Sequence, residues 1–273
     1  MLIKSYANAI RQDLGKFSIH PMAQVHPKAK VGNNVNLAPL CSIGPDVEIA
    51  DDVWIGQGAI VQGKVKIGQG SIIGNYATIG AYPQDLKYNG EKGAVEIGKN
   101  NVIREYVNIS QGTEGGGMIT KVGDHNLIMV YSHLGHDCLV GNDCILANGV
   151  SLGGHVTIDD GAIIGGHSGV HQFCHVGSLA MLGGGTILVN DAAPYCTIQG
   201  NHAELAGLNL VGLKRSGLDA PIIEDIKKIF KLFFRSNIGV EAAIEKTLVE
   251  VPASTHRDYF IKFSKASTRG LCR

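Results

Sequence analysis

The sequence predicts a mainly β protein: a parallel β-helix of hexapeptide repeats followed by a small C-terminal α-helical domain. Three observations predict it. First, an aliphatic residue returns every sixth position, at Val25, Val31, Leu37, Ile43, Ile49, Ile55, Val61, Ile67, Ile73 and Ile79, and again in phase at Ile97, Ile103 and Ile109. A period of six is neither the 3.6 of an α-helix nor the two of a strand; it is a repeat of parallel β-helices. Second, the beat restarts one residue out of phase at Val122 and runs through Leu134, Leu152 and Val170 to Leu182. Third, 37 of the 273 residues are glycine, about twice the usual share, and they follow the aliphatic beat, where a turn needs freedom from a Cβ.

Residues 1–18 place Ile3, Tyr6, Ile10, Leu14 and Phe17 at helical spacing, an amphipathic extension expected to dock on the body or on a partner subunit. Residues 19–190 form the solenoid. Three hexads make one triangular coil, so residues 18 apart should stack one strand spacing apart, ~4.8 Å up the axis. Two interruptions, 82–94 and 111–121, replace hexads; the first keeps the phase and the second shifts it by one. A solenoid accommodates such insertions as corner loops, which often carry function. After residue 190 the beat stops. In 191–273, Asp219 followed by Pro221 opens a helix whose stripe is Ile222, Ile226, Ile229, Phe230, Phe233 and Phe234. Further helices are expected over 240–251 and 258–266.

Composition excludes several function classes. Net charge is zero, so no global field recruits nucleic acid or a membrane surface. No apolar run approaches the ~20 residues of a membrane span, and the N-terminus lacks a signal-peptide core. A cytoplasmic location is the expectation. Counting the beat residue as slot one, Cys41, Cys138, Cys144 and Cys174 all occupy slot five, which elsewhere holds Val, Ala or Ser; these cysteines are expected to pack rather than bind metal.

The histidines stand out from this frame. His133, His136, His155, His167, His171 and His175 all fall outside slots one and five, so they are expected to project outward from one stretch of coils just past the second interruption. Histidine suits proton transfer near neutral pH. Asp137 adjoins His136, and a carboxylate beside an imidazole fixes its tautomer. Zinc binding by three histidines is the alternative chemistry. Between residues 214 and 235, six Lys/Arg face three acids, either a solvated face or a docking surface for an acidic partner.

The hexads together with Gln84-Asp85-Leu86-Lys87-Tyr88, the run His133 to Cys138, Ile145 to Asn148, Gly154-His155-Val156, Ala162 to Gly166, Val170 to Cys174, Gln199 to His202, Gly212 to Arg215 and Ser267 to Gly270 closely resemble the acyl-(acyl carrier protein)–UDP-N-acetylglucosamine O-acyltransferases. The resemblance runs from about residue 19 to the end. It implies a left-handed parallel β-helix with a C-terminal helical domain, a homotrimer with active sites between subunits, and the first step of lipid A biosynthesis: transfer of a 3-hydroxyacyl group from acyl carrier protein to the 3-hydroxyl of UDP-N-acetylglucosamine. No cofactor is implied. His136 would be the general base, Asp137 its orienting partner, and the Gly154 N–H the oxyanion donor. Gln84, Asp85, Lys87, His133, His155, His171 and Gln172 would bind sugar and acyl groups. Asn209 and Arg215 would grip the nucleotide, and the basic helices would meet the carrier protein. Two features depart from the family pattern. Ser110-Gln111 stands where His-Arg is common, and Ser216 stands where a second basic residue can follow Arg215. The glycines around Gly184 lie where bulk limits acyl length, so a longer chain is expected.

Rival readings are an acetyl-CoA-dependent hexapeptide acetyltransferase, a β-helix zinc carbonic anhydrase and a purely structural solenoid. The sibling N-acyltransferase carries a long domain ahead of its β-helix, whereas here the hexads begin by Val25.

Overall fold

A computed structural model describes residues 2–13 and 18–273. Among these, short strands stack in three parallel faces. Face one begins at Gln24–Val25, face two at Lys30–Val31 and face three at Asn36–Leu37. The chain visits them in rotation, so each residue pairs with the one 18 positions on: Ser42 with Ile60 and Thr157 with His175, for example. This is the left-handed β-helix.

Both interruptions lie at the same corner, between faces one and two. Pairing across the first jumps from Lys66 to Glu96, and across the second from Glu96 to Lys121. Those steps of 30 and 25 exceed 18 by two whole hexads and by a hexad plus one residue, which accounts for the kept phase and the shifted one. The second loop holds a 3-10 turn, Glu114–Gly116.

The beat residues and slot five fill a continuous core. All four slot-five cysteines are buried, as are Cys196 and Cys272, and all six are free thiols. Burial pushes the Cys41 and Cys174 thiols up to about 11 and Cys138 and Cys144 to about 12, so they stay protonated and inert. Slot five is not uniformly small, however. Asn101 and Asn126 occupy it fully buried at the corner between faces two and three. The Asn126 N–H donates to Asn101 Oδ1 (2.8 Å), and the Cys144 N–H donates to Asn126 Oδ1 (2.7 Å). An asparagine is tolerated there because its amide supplies what the turning backbone lacks.

Slot four is left-handed in coil after coil, at Asn34, Asp52, Tyr76, Tyr106, Tyr131, Asp137, His155 and Phe173 among others. Each corner is a tight turn that needs one positive φ.

Helix α1 (Leu2–Asp13) lays Ile3 and Ala7 on the outer side chains of face three: Ile72, Val102 and Leu127. The extension therefore docks on its own body; Leu14 and Phe17 fall outside the described residues. At the other end, Cys196–Gln199 continues the parallel stack, then pairs antiparallel with Glu204–Leu208 in a closing hairpin. Four helices follow: α2 (Leu210–Arg215), α3 (Ala220–Phe234), α4 (Val240–Glu250) and α5 (Thr255–Ala266). The stripe of α3 buries Ile226, Ile229 and Phe233, and the Phe233 ring meets Phe260 of α5 edge-on at 4.8 Å. The expected third helix starts three residues early because Ser254 caps it, its Oγ accepting the Arg257 N–H.

Candidate active site

The first interruption walls one side of a cleft of about 790 Å³ along the corner between faces one and two. Gln84, Asp85, Lys87, His133, His136, Gly154, His155, His171 and Gln172 all line it. Of the six histidines expected to project outward, four meet in this cleft. His167 lies at another corner. His175 lies on face two, where its Nε2 pairs with Asp159 at 2.8 Å.

His136 does not project into solvent as expected. It leaves the solenoid but is buried to 9 % exposure. Its Nδ1 lies 2.8 Å from Asp137 Oδ2. Asp137 is an acceptor throughout: its side chain is wholly buried, and it accepts from the Thr113 N–H at 3.0 Å and from the Thr113 hydroxyl at 2.6 Å. With those donors in place, the remaining bond has Nδ1–H of His136 donating to Asp137. Nε2 is then the basic nitrogen, and it faces the cleft 3.9 Å from Asp85 Oδ2. Asp85 is held by its own turn, its Oδ1 accepting the Lys87 N–H.

Gly154 sits against the imidazole: a Cβ there would lie 2.5 Å from His136 Nε2. Among the described residues no protein acceptor takes the Gly154 N–H, so an unpaired donor lies beside the base. Beyond it the His155 ring meets His136 edge-on at 4.9 Å and stacks on Phe173 at 4.4 Å. Burial lowers the pKa of both His133 and His155, in His133 with help from His136, so both rings are held neutral.

His136, Asp137 and His155 are the one group among the described residues whose ligand atoms approach closely enough for a metal, within 4.8 Å. The donors do not fit an ion. His136 Nδ1 and Asp137 are directed at each other, and Asp137 Oδ2 already accepts three hydrogen bonds. A larger groove of about 1240 Å³ runs along face two beneath Tyr259, but no histidine lines it.

Four expected site residues lie outside the cleft of their own chain. Ser110 is fully buried with its Oγ unpaired. Gly184 sits at the corner between faces three and one. Asn209 caps α2, accepting the Gly212 N–H and donating to the Leu179 carbonyl, and Arg215 ends that helix. Conversely, Thr113 and Phe173 belong to the site and were not anticipated. Phe173 carried a signal, lying 18 residues after His155 and therefore directly above it. Thr113 carried none beyond its place in the second interruption.

Residues 191–272 match a family model described as UDP-N-acetylglucosamine O-acyltransferase, domain 2, and residues 46–81 and 119–154 match the bacterial transferase hexapeptide repeat. An acyl-(acyl carrier protein)–UDP-N-acetylglucosamine O-acyltransferase of Alkalilimnicola ehrlichii is 49 % identical over 93 % of this chain and 99 % of its own. One from Anaeromyxobacter sp. is 47 % identical over 71 % of this chain and 76 % of its own. Among solved structures, LpxA of Bacteroides fragilis, a UDP-N-acetylglucosamine acyltransferase, superposes with a TM-score of 0.91 at 40 % identity, covering 94 % of this chain and all of that one.

Proposed function

Since the chain belongs to the acyl-(acyl carrier protein)–UDP-N-acetylglucosamine O-acyltransferases, we propose that the His136–Asp137 pair beside the free Gly154 N–H is its acyl-transfer centre. The activity is transfer of an acyl group from acyl carrier protein to UDP-N-acetylglucosamine, the opening step of lipid A biosynthesis. His136 Nε2 takes the proton of the sugar 3-hydroxyl as that oxygen attacks the thioester carbonyl. The Gly154 N–H donates to the developing oxyanion, a fixed dipole of the kind that contributes strongly to acyl transfer. Collapse breaks the C–S bond, and the His136 imidazolium returns its proton to the departing thiolate. Asp137 keeps the ring oriented and stabilises the imidazolium. Gln84, Asp85, Lys87, His133, His171 and Gln172 surround the sugar and acyl groups from one chain.

Asn209, Arg215 and Gly184 do not reach that cleft, which supports a homotrimer in which a neighbouring copy completes the site. The Arg215 guanidinium suits a diphosphate. On α3, Lys227 and Lys228 are paired with Glu224 and Asp225, leaving Lys231 and Arg235 to face an acidic carrier protein. Among the described residues no helix is long and apolar enough to cross a membrane. Six free buried cysteines support a reducing, cytoplasmic setting.

The observation that carries the reading is the buried His136–Asp137 hydrogen bond with Nε2 open to the cleft. Its test is product formation from UDP-N-acetylglucosamine and 3-hydroxyacyl-carrier protein, with His136→Ala alongside. Undiminished turnover by the variant sinks the assignment of the base. Light scattering should give three times the 28.9 kDa chain mass.

A further inference from the structure

We infer that Thr113, carried by the second corner loop, is a positioning residue for the reaction: its two donors hold the Asp137 carboxylate as an acceptor and thereby commit His136 to the tautomer with a free Nε2. The inference rests on His136 being the base. Three observations converge on it. Asp137 has no solvent on its side chain, so every donor it has comes from protein. Apart from His136, the side-chain donors are both Thr113 groups, with the backbone N–H reaching both oxygens at 3.0 Å and the hydroxyl reaching Oδ2 at 2.6 Å. The same loop is packed onto the carboxylate from above, since a Cβ on Gly116 would lie 1.9 Å from Asp137 Cγ. Thr120, where the strand resumes, accepts the Asp137 N–H at 2.9 Å.

The insertion adds one residue beyond a whole hexad, and it brings Thr113 and Gly116 onto the Asp137 carboxylate. A buried carboxylate without such donors would take up a proton and become a donor itself. His136 could then turn either nitrogen toward it, and the cleft would lose a defined base. Thr113 touches neither substrate nor the reacting atoms; it acts through Asp137.

The test compares Thr113→Val, which keeps shape and backbone N–H but removes the hydroxyl, with Thr113→Ser, which restores the hydroxyl. Thr113→Val should lower kcat roughly 10- to 100-fold, on the scale found for outer partners of metal-bound histidines, with KM little changed. The acid limb of its kcat/KM profile should move to higher pH, because a carboxylate relieved of one donor holds a proton on the pair more tightly. Thr113→Ser should recover both rate and profile. If Thr113→Val does not fold, Gly116→Ala, which displaces the same carboxylate by adding atoms, should show the same kcat loss and profile shift. A wild-type pH profile in the folded variant overturns the positioning role. Loss of activity in His136→Ala with no effect at Thr113 refutes this inference alone, whereas full activity in His136→Ala removes the underlying assignment.

Discussion

Two corners of the same prism use one backbone turn for different ends. At the corner between faces two and three, slot three holds Asn33, Asp51, Gln69, Lys99, Asp124, Asn142, Asp160 and Ser178. There a side chain in one coil caps the amide of the coil below: the Asn33 N–H donates to Asp51, Lys99 to Asp124, Asp124 to Asn142 and Asn142 to Asp160, each at 2.7 Å. At the corner between faces one and two, slot three holds His136, Gly154 and Gln172. Gly154 has no side chain to cap the amide below, and its own N–H meets no protein acceptor among the described residues. Equal geometry thus yields a ladder capped at four amides on one edge and one left open at Gly154 on the other. Stability is built where the turn's donors are consumed, and chemistry is possible where they are left for a ligand.

The sharpest way to break this contrast is at the open edge. His136→Ala should reduce kcat by about 10²- to 10⁴-fold, the usual contribution of a positioned general base, in a steady-state acylation assay, with the thermal midpoint little altered. Gly154→Ala comes next. Its methyl would press on the His136 ring at 2.5 Å, so a loss of roughly 100-fold in kcat is expected in the same assay, on the scale of a disturbed oxyanion site. A fully active alanine variant would show that this N–H and its spacing to the base are not used.

The capped edge should respond in stability rather than rate. Asn126→Ala strands the Cys144 N–H and the Gly141 carbonyl inside the core, at a cost of about 1–3 kcal/mol. Differential scanning calorimetry should show Tm lowered by roughly 2–4 °C per kcal/mol for a chain of this size, with kcat unchanged. The smallest effect is on pH. His133 and His155 are held below their ordinary pKa by burial, so the unfolded chain takes up protons more readily than the folded one. Their contribution is complete above about pH 6.5 and declines as pH falls from there towards the lowered folded values. A Tm series over that range should slope downward with acid, and His133→Gln should flatten it.

Much of this contrast was legible in the residues. The hexad beat located the core, the two loops and the stack of residues 18 apart, because burial in a solenoid repeats with the chain itself. The capped corner went unread, although Asp124, Asn142 and Asp160 recur at the coil period, because their caps are bonds between coils. His136 and Asp137 stood out by type and adjacency, but not by burial, since the residues that cover them arrive from the inserted loops and obey no period. Thr113 was hidden for the same reason. Helix α2 escaped because six residues with an internal glycine carry too little periodicity, and the capping role of Asn209 shows only in its bonds to Gly212 and Leu179.

The hairpin of Cys196–Gln199 and Glu204–Leu208 has a meaning beyond closing the fold. A parallel stack is a template that can add another coil from any chain offering the right edge. Turning the last strand back on itself, and following it with helices, replaces that open template with a short antiparallel strand. The solenoid therefore has a fixed length at this end, and coil-on-coil growth into fibres is blocked where the repeat stops.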